Sequence, residues 1–348
     1  MKPTSGLPYD EVAIVILNYN GRRFLEEFLD SVIQSSCDAK VIVADNASTD
    51  DSIPFLKENY PKVRLIELSE NFGFTGGYNK ALEQIDAKYY VLLNSDIQCP
   101  ENWLTPLLTL MESDSQIAAC QPKIKLFSDQ ESFEHAGAAG GFMDYMGYPF
   151  CRGRIMHALE YDDGQYDDTV EVFWATGACL FIRAELYHKM GGLDEKFFAH
   201  MEEIDLCWRL KSEGYKIKAV GTSEVYHVGG GTLSRENPKK TYLNFRNGLF
   251  LLFKNLPSSK LLLVLFLRMV LDGVAGVRFL LKGEVNNLWA VLKAHRDFYL
   301  SIGYLVKARR KIKNHKINFP EVYKKLIVKE FFLKKRTKFT DLNGFPNN

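Results

Sequence analysis

The run Leu92-Leu93-Asn94-Ser95-Asp96 closes an apolar stretch on a carboxylate, the pattern of a buried strand that delivers Asp96 to a sheet edge. A carboxylate there suits a divalent cation and the diphosphate it neutralises, because hard cations take oxygen ligands. The ordinary alternative is a polar turn that merely ends a strand. His227 closes another apolar stretch, just before Gly229-Gly230-Gly231. Its neutral imidazole can ligate a metal or serve a structural hydrogen bond. Glu202, Glu203 and Asp205 fall within four residues at an expected helix start. They either complement the helix dipole or, as stacked like charges, raise a carboxyl pKa and make a general base.

Two further segments suit a nucleotide. In Asp45-Asn46-Ala47-Ser48-Thr49-Asp50 a carboxylate ends a second strand, where it can accept hydrogen bonds from a base or ribose. An Asx turn with a helix cap from Ser48 and Asp50 explains the same residues. Residues 71–79, NFGFTGGYN, form a glycine-rich loop opening a helix. The glycines allow either close approach to a diphosphate or tight packing on the sheet. The spacing G-x-G-x-x-G is missing, so a Rossmann dehydrogenase is not supported.

These groups need a scaffold that brings strand ends together. Residues 12–17, 40–44, 63–68 and 89–93 read as strands, and 23–33 and 76–85 as helices, with another helix after Asp50. The alternation implies βαβ units, an α/β fold and a mainly parallel sheet covered on both faces. Ligands in such sheets bind beyond the carboxyl ends of the strands. The polar turns 18–21, 45–50, 71–77 and 94–96 would converge there. Residues 128–169 read as a long excursion with short strands, rimming a substrate site. Strands are expected at 170–174, 178–182, 216–220 and 223–227, a helix at 203–212, and a loop from Gly229 to about Lys240.

Charge divides the chain. Its 348 residues carry a net charge of +1, but residues 1–250 hold 24 Lys+Arg against 37 Asp+Glu, and residues 251–348 hold 20 against 6. An acidic body with a basic tail suggests a surface-binding region. Residues 260–282 look like a membrane span, yet their longest apolar run is the seven residues 261–267. At about 100° per residue, Lys260, Arg268, Asp272, Arg278 and Lys282 share an arc of about 120°. This is an amphipathic helix, not a clean span. With the basic runs 307–313 and 334–338 it favours an anionic membrane surface over intramolecular packing plus a solvated face. No nucleic-acid-binding module accompanies the charge. Six scattered cysteines and an N-terminus without a signal-peptide pattern predict a cytoplasmic body.

The ordered motifs N-Y-N-G, D-N-A-S-T-D, N-x-G-F-x-G-G-x-N, L-N-S-D, T-G-A, G-G-L-D-E-x-F-F, E-E-x-D-L-C-W-R-L and H-x-G-G-G resemble family 2 glycosyltransferases. Within that family the chain is most similar to the bacterial rhamnosyltransferase-like branch that builds surface polysaccharides. The likeness spans residues 12–231. It implies a GT-A domain over 1–245, while charge and periodicity make 246–348 a helical, basic, membrane-associating region. The implied reaction is metal-dependent, inverting transfer of a hexosyl or deoxyhexosyl unit. A UDP-, GDP- or dTDP-linked donor would serve a hydroxyl of a glycan or lipid-linked acceptor, at the inner face of the cell membrane.

Residue by residue, the resemblance places Asn18, Asn20, Asp45 and Asn46 at the nucleotide, and Gly73, Asn79, Asn94 and Asp96 near the sugar nucleotide. Asp96 would hold Mg²⁺ or Mn²⁺, with His227 as second ligand. Trp174, Thr176 and Gly177 would line the sugar and acceptor pocket. The base would come from Glu202-Glu203, with Glu203 standing where Asp is usual and Asp205 as an alternative. Asn94 replaces the first acid of Asp-x-Asp, offering an oxygen without a charge. Two competing readings are a nucleotidyltransferase, whose basic glycine-rich N-terminal signature residues 18–23 fit poorly, and a catalytically inactive membrane scaffold. The scaffold would predict loss of Asp96, the Glu pair or His227, and all are present.

Overall fold

A computed structural model describes residues 6–229 and 237–345. The expected alternation opens the chain: β1 (Val12–Asn18), α1 (Arg22–Ser35), β2 (Lys40–Asp45), α2 (Ser52–Asn59), β3 (Arg64–Glu67), α3 (Gly73–Leu82) and β4 (Tyr89–Asn94). Then come β5 (Ile97–Gln98), α4 (Leu104–Ser113) and β6 (Ile117–Leu126). The excursion carries β7 (Gly141–Asp144), β8 (Pro149–Cys151), β9 (Arg154–Ile155) and β10 (Ala158–Leu159). The chain re-enters through β11 (Thr169–Glu171), β12 (Cys179–Arg183), α5 (Ala184–Lys189), α6 (Glu202–Ser212) and β13 (Lys216–His227). The C-terminal part holds α7 (Pro238–Asn255), α8 (Ser258–Leu281), α9 (Val285–Leu300), α10 (Ile302–Lys311), β14 (Val322–Tyr323) and α11 (Ile327–Phe332).

β1 is continuously apolar because helices cover both its faces; Val12 through Val15 are fully buried. α1 turns Leu25, Phe28, Leu29 and Val32 onto one face. The main sheet runs β11-β13-β6-β12-β4-β1-β2-β3, with β5 added on β13. β1 pairs in parallel with β2 and β4, β2 with β3, and β6 with β13. β12 is antiparallel to both β4 and β6, while β5 and β11 run antiparallel to β13. The sheet is therefore mixed, which corrects the expectation of a mainly parallel one. Helices still separate the later strands, α4 before β6 and α5 and α6 before β13, but β12 slots antiparallel between β4 and β6. β12 enters its slot through the excursion and not through a crossover helix, so the βαβ rule does not act on it.

Smaller differences have local causes. The strands expected at 216–220 and 223–227 are one strand, β13, with a register shift between Val220 and Glu224. Gly221 sits in that irregularity, where a Cβ would lie 2.1 Å from the Tyr166 carbonyl oxygen. The N-cap position of α2 is Asp51, not Ser48 or Asp50, and its side chain makes no capping bond. α7 begins at Pro238, inside the loop expected to reach Lys240; residues 230–236 of that loop lie outside the described residues.

The basic region is partly woven into the body. β14 pairs in parallel with β7, extending a second sheet of order β10-β9-β8-β7-β14. Phe339 and Phe345 pack on Phe142 and Phe150 of that sheet. The expected boundary between 245 and 246 falls inside α7.

α8 is amphipathic in the reverse sense of a helix on a soluble core. From its expected polar arc, Arg268 and Asp272 point inward and are 4% and 1% exposed. Arg268 Nε donates to Asp272 Oδ1 at 3.1 Å, its guanidinium lies over the Tyr148 ring, and His295 of α9 meets Asp272 Oδ2 at 3.2 Å. Gly248 of α7 leaves room for Arg268: a Cβ there would lie 2.9 Å from its Nη2. The apolar side chains turn outward, Leu263, Phe266, Val274 and Leu281 all being exposed. No helix among the described residues is long and apolar enough to cross a membrane.

Candidate active site

β4 carries Asn94 to its carboxyl end, and two residues later Asp96 stands in the turn just before the short β5. Because β5 pairs with the end of β13, His227 stands opposite Ile97 and beside Asp96. His227 Nε2 is 3.1 Å from Asp96 Oδ1, Asn94 Nδ2 is 3.4 Å from the same nitrogen, and Val228 N–H donates to the Asp96 carbonyl. On the other side of the ring, Nδ1 lies 3.2 Å from Glu134 Oε2. Burial would lower the pKa of His227, but Asp96 and Glu134 outweigh it and raise the value to about 10. Burial likewise works against Glu134, which His227 nonetheless holds down at about 2.

Asp96 and His227, almost fully buried at the strand edge, offer one carboxylate and, once the ring sheds the proton that Asp96 and Glu134 hold on it, one imidazole nitrogen. That set fits Mg²⁺ or Mn²⁺. Among the described residues no group of three or more His, Cys, Asp or Glu side chains could hold an ion unaided. Glu134 is a residue the sequence reading missed. It comes from the excursion, 93 positions before His227, and no spacing ties it to the histidine. A carboxylate on the far ring nitrogen of a ligating histidine orients the ring.

The nucleotide-side candidates form a hydrogen-bonded turn system. Asn18 Nδ2 donates to Asp45 Oδ2 at 2.8 Å, and Ser48 donates to Asp45 through both its backbone N–H and its hydroxyl. Asn20 Oδ1 accepts from Thr49 N–H at 2.7 Å. Asn46 Nδ2 donates to the Gly73 carbonyl at 3.0 Å, while its Oδ1 accepts from Phe72 N–H, pinning the glycine-rich loop. Gly73 has φ +72°, and a Cβ there would lie 2.7 Å from the Phe198 ring. The packing reading holds for Gly77, where a Cβ would sit 2.9 Å from Leu17. Asn79 faces away from the strand ends: it donates to the Leu193 carbonyl and accepts from Tyr187 Oη–H and Leu193 N–H.

Trp174, Thr176 and Gly177 lead into β12. Trp174 donates its indole N–H to the Phe142 carbonyl at 2.9 Å, and Thr176 N–H donates to Gln121 Oε1. Both side chains are buried one layer below the surface. Gly177 is the residue at the site. A Cβ on it would stand 3.5 Å from Phe74 and 3.7 Å from Glu203 Cβ, and the next residue, Ala178, accepts from Asn94 N–H through its carbonyl. The Thr176-Gly177-Ala178 segment thus separates Glu203 from the Asp96–His227 pair.

Three carboxylates open α6, and the structure gives them different states. Asp205 is fully buried, with Arg209 Nε and Lys254 Nζ each 2.9 Å from Oδ2 and Asn255 Nδ2 2.8 Å from Oδ1. Burial alone would raise its pKa, but Lys254 and Arg209 pull it below the usual value. Glu202 and Glu203 each leave one buried oxygen, Oε2, without a hydrogen-bond partner. Burial drives Glu202 well above the ordinary range, with the Glu203 charge adding to it. Burial also pushes Glu203 up to about 7, against backbone N–H groups at the helix start that favour its ionised form. A carboxyl near neutrality at a half-buried position is suited to proton transfer.

The loop entering α6 is strained: Phe198, His200 and Met201 have φ of 67°, 69° and 74°. Asn247 of α7 holds it, its Nδ2 donating to the carbonyls of Phe197, Ala199 and His200. Arg246 adds bonds to the Lys196 and Phe197 carbonyls. The helix after residue 237 is thus part of the site's support.

Because both glutamates are protonated more readily in the folded chain, their ionisation opposes folding. A raised carboxyl pKa means the native state holds more protons, so stability falls as pH rises from the unfolded value towards the folded one. Glu202→Gln and Glu203→Gln should each raise Tm at pH 8 and change it little at pH 4, read by calorimetry.

Residues 13–191 match Glycosyl transferase family 2, just over half of the chain. The chain belongs to that family. As a family 2 glycosyltransferase it has rhamnosyltransferases among its relatives. It is 27% identical over 246 residues to the N-acetylglucosaminyl-diphospho-decaprenol L-rhamnosyltransferase of Mycobacterium tuberculosis, covering 65% of this chain and 79% of that protein. It is 26% identical over 229 residues to the rhamnosyltransferase WbbL of Escherichia coli, covering 62% and 83%. Among solved structures it is similar to GalNAc-T7 with UDP, GalNAc and Mn²⁺, at a TM-score of 0.60 and 16% identity. That likeness covers 74% of this chain and half the length of the other, and it shows a GT-A fold. The family match ends before α6, so Glu203 and His227 rest on the geometry above.

Proposed function

We propose that this family 2 enzyme is a metal-dependent, inverting glycosyltransferase. It moves a sugar from a nucleotide-sugar donor to a hydroxyl of a glycan or lipid-linked acceptor in cell-surface polysaccharide synthesis. The observation that carries the mechanism is the contrast within α6: Asp205 is consumed by two cations and an amide, whereas Glu203 keeps an unpartnered oxygen and a pKa near 7. Glu203 is therefore the base. Its carboxylate takes the proton from the acceptor hydroxyl as that oxygen attacks the anomeric carbon in one displacement, so configuration inverts and no covalent enzyme intermediate is needed.

Asp96 and His227 would hold Mg²⁺ or Mn²⁺, which when bound neutralises the leaving diphosphate. Asn94 stands beside the pair with its Nδ2 3.4 Å from His227 Nε2, and Glu134 places a second carboxylate 3.2 Å from Nδ1 on the far side of the ring. The turn around Asp45 faces the nucleotide, Gly73 lets the loop approach the donor, and Gly177 leaves space beside Glu203 for the acceptor. The relatives named for a lipid-diphosphate acceptor and for rhamnosyl transfer support a deoxyhexosyl donor and a lipid-linked acceptor.

The donor is found by incubating the protein with UDP-, GDP- and dTDP-sugars, with Mg²⁺, Mn²⁺ or chelator. One donor class should be hydrolysed or transferred, and chelation should stop it. No turnover of any donor with either ion would favour the inactive-scaffold reading.

A further inference from the structure

α8 and α9 expose an apolar surface that none of the described residues covers. Among the described residues, fifteen of the twenty exposed large apolar side chains lie between Leu262 and Ile302. On α8 they form one stripe, with Leu263, Phe266, Val270, Val274, Val277 and Leu281 recurring at helical spacing. Trp289 is 65% exposed and Tyr299 56%, both on α9. A patch of this extent exceeds what scattered surface residues explain.

Charge selects the occupant. Residues 258–313 hold eleven Lys+Arg and three acids. Asp272 is buried, and Glu284 and Asp297 are half-buried, so the outward charge is basic: Lys260, Arg278, Lys282, Lys293, Arg296 and the 307–313 run. An apolar stripe edged by cations, with Trp and Tyr in it, matches the interface of an anionic bilayer. The inward Arg268–Asp272 pair gives α8 its outward apolar face.

We propose that the α8–α9 face lies flat on an anionic lipid bilayer and holds the mouth of the active site at its surface. This rests on the glycosyltransferase reading and adds the partner surface that presents the acceptor. The turn between the two helices packs beside the start of α7: Asn287 Oδ1 accepts from the Thr241 hydroxyl at 2.9 Å, and the Phe279 and Phe245 rings meet at 6.4 Å. Lys239, in the same stretch of α7, stands over the ring of Phe198, which precedes the base helix and touches the donor loop at Gly73. Exposed Leu280, Leu281, Val285 and Trp289 therefore lie on the flank of the site where α7 enters. An acceptor hydroxyl borne on a membrane lipid would reach Glu203 without leaving the bilayer surface.

The wild-type chain contains its own probe. Of four tryptophans, Trp103, Trp174 and Trp208 are buried and only Trp289 is exposed. With vesicles of phosphatidylcholine plus phosphatidylglycerol, Trp289 emission should shift to the blue and be quenched by lipids brominated on the acyl chain. Pure phosphatidylcholine should give a much smaller response. The combined variant Leu263→Ser, Phe266→Ser, Trp289→Ser should lose about ten-fold or more in vesicle partitioning by flotation, with nucleotide-sugar binding in solution unchanged. Full donor binding with no vesicle response overturns the membrane face and leaves the catalytic reading intact. Vesicle binding without binding of any donor overturns the catalytic reading alone. A lipid-free dimer that buries Trp289 and is broken by the triple variant assigns the face to a second copy and overturns the proposal.

Discussion

Glu203→Gln should lower kcat for glycosyl transfer by about 10³-fold while leaving the donor Kd within about two-fold, since general-base removal typically costs 10²–10⁴. The amide keeps the shape of the side chain and removes the lone pair that takes the acceptor proton. The proposed function puts donor binding on the turns that end β1, β2 and β4, so it should survive. Glu202→Gln should cost far less, because Glu202 is buried and its carboxyl is already held neutral. Asp205→Asn should behave differently again. It strips the counter-charge from Lys254 and Arg209, and breaking a buried ion pair typically costs about 3–5 kcal/mol. Its signature is therefore a lower Tm. Measured together by single-turnover kinetics, equilibrium donor binding and melting, the three variants separate the base from its neighbours.

Asp96→Ala should weaken metal-coupled binding of the nucleoside diphosphate by about 10²-fold, and His227→Ala by about 10–100-fold. Asp96 supplies the only full negative charge of the pair, since Asn94 gives none. Calorimetric titration of nucleoside diphosphate with and without Mn²⁺ reads the coupling directly. In wild type the two ligands should enhance one another, and in Asp96→Ala the enhancement should vanish. Unchanged coupling in both variants would place the ion elsewhere.

The first four strands and the polar turns after them were legible because buried parallel strands are continuous apolar runs, and the turns carry Asn, Asp and Gly for stereochemical reasons. The base pair was legible as a cluster, but its resolution was not. Which carboxylate is free depends on Lys254 and Asn255, some fifty residues downstream in a helix whose role no spacing reveals. Glu134 was hidden for the same reason. The mixed sheet was not legible because β12 enters between β4 and β6 from the excursion, with no crossover helix to signal its direction. For α8, periodicity reported that a charged stripe exists without saying which way it turns. The i, i+4 pair Arg268–Asp272 finds further partners in Tyr148 and His295, and that neutralised cluster faces inward.

One-step displacement driven by Glu203 inverts the anomeric centre. Proton NMR of the anomeric signal, followed from donor to first product, tests it most directly. Wild type should form product of the opposite anomeric configuration, and Glu203→Gln should form none on the same timescale. A product that retains the donor's configuration, or transfer by Glu203→Gln at the wild-type rate, would contradict it.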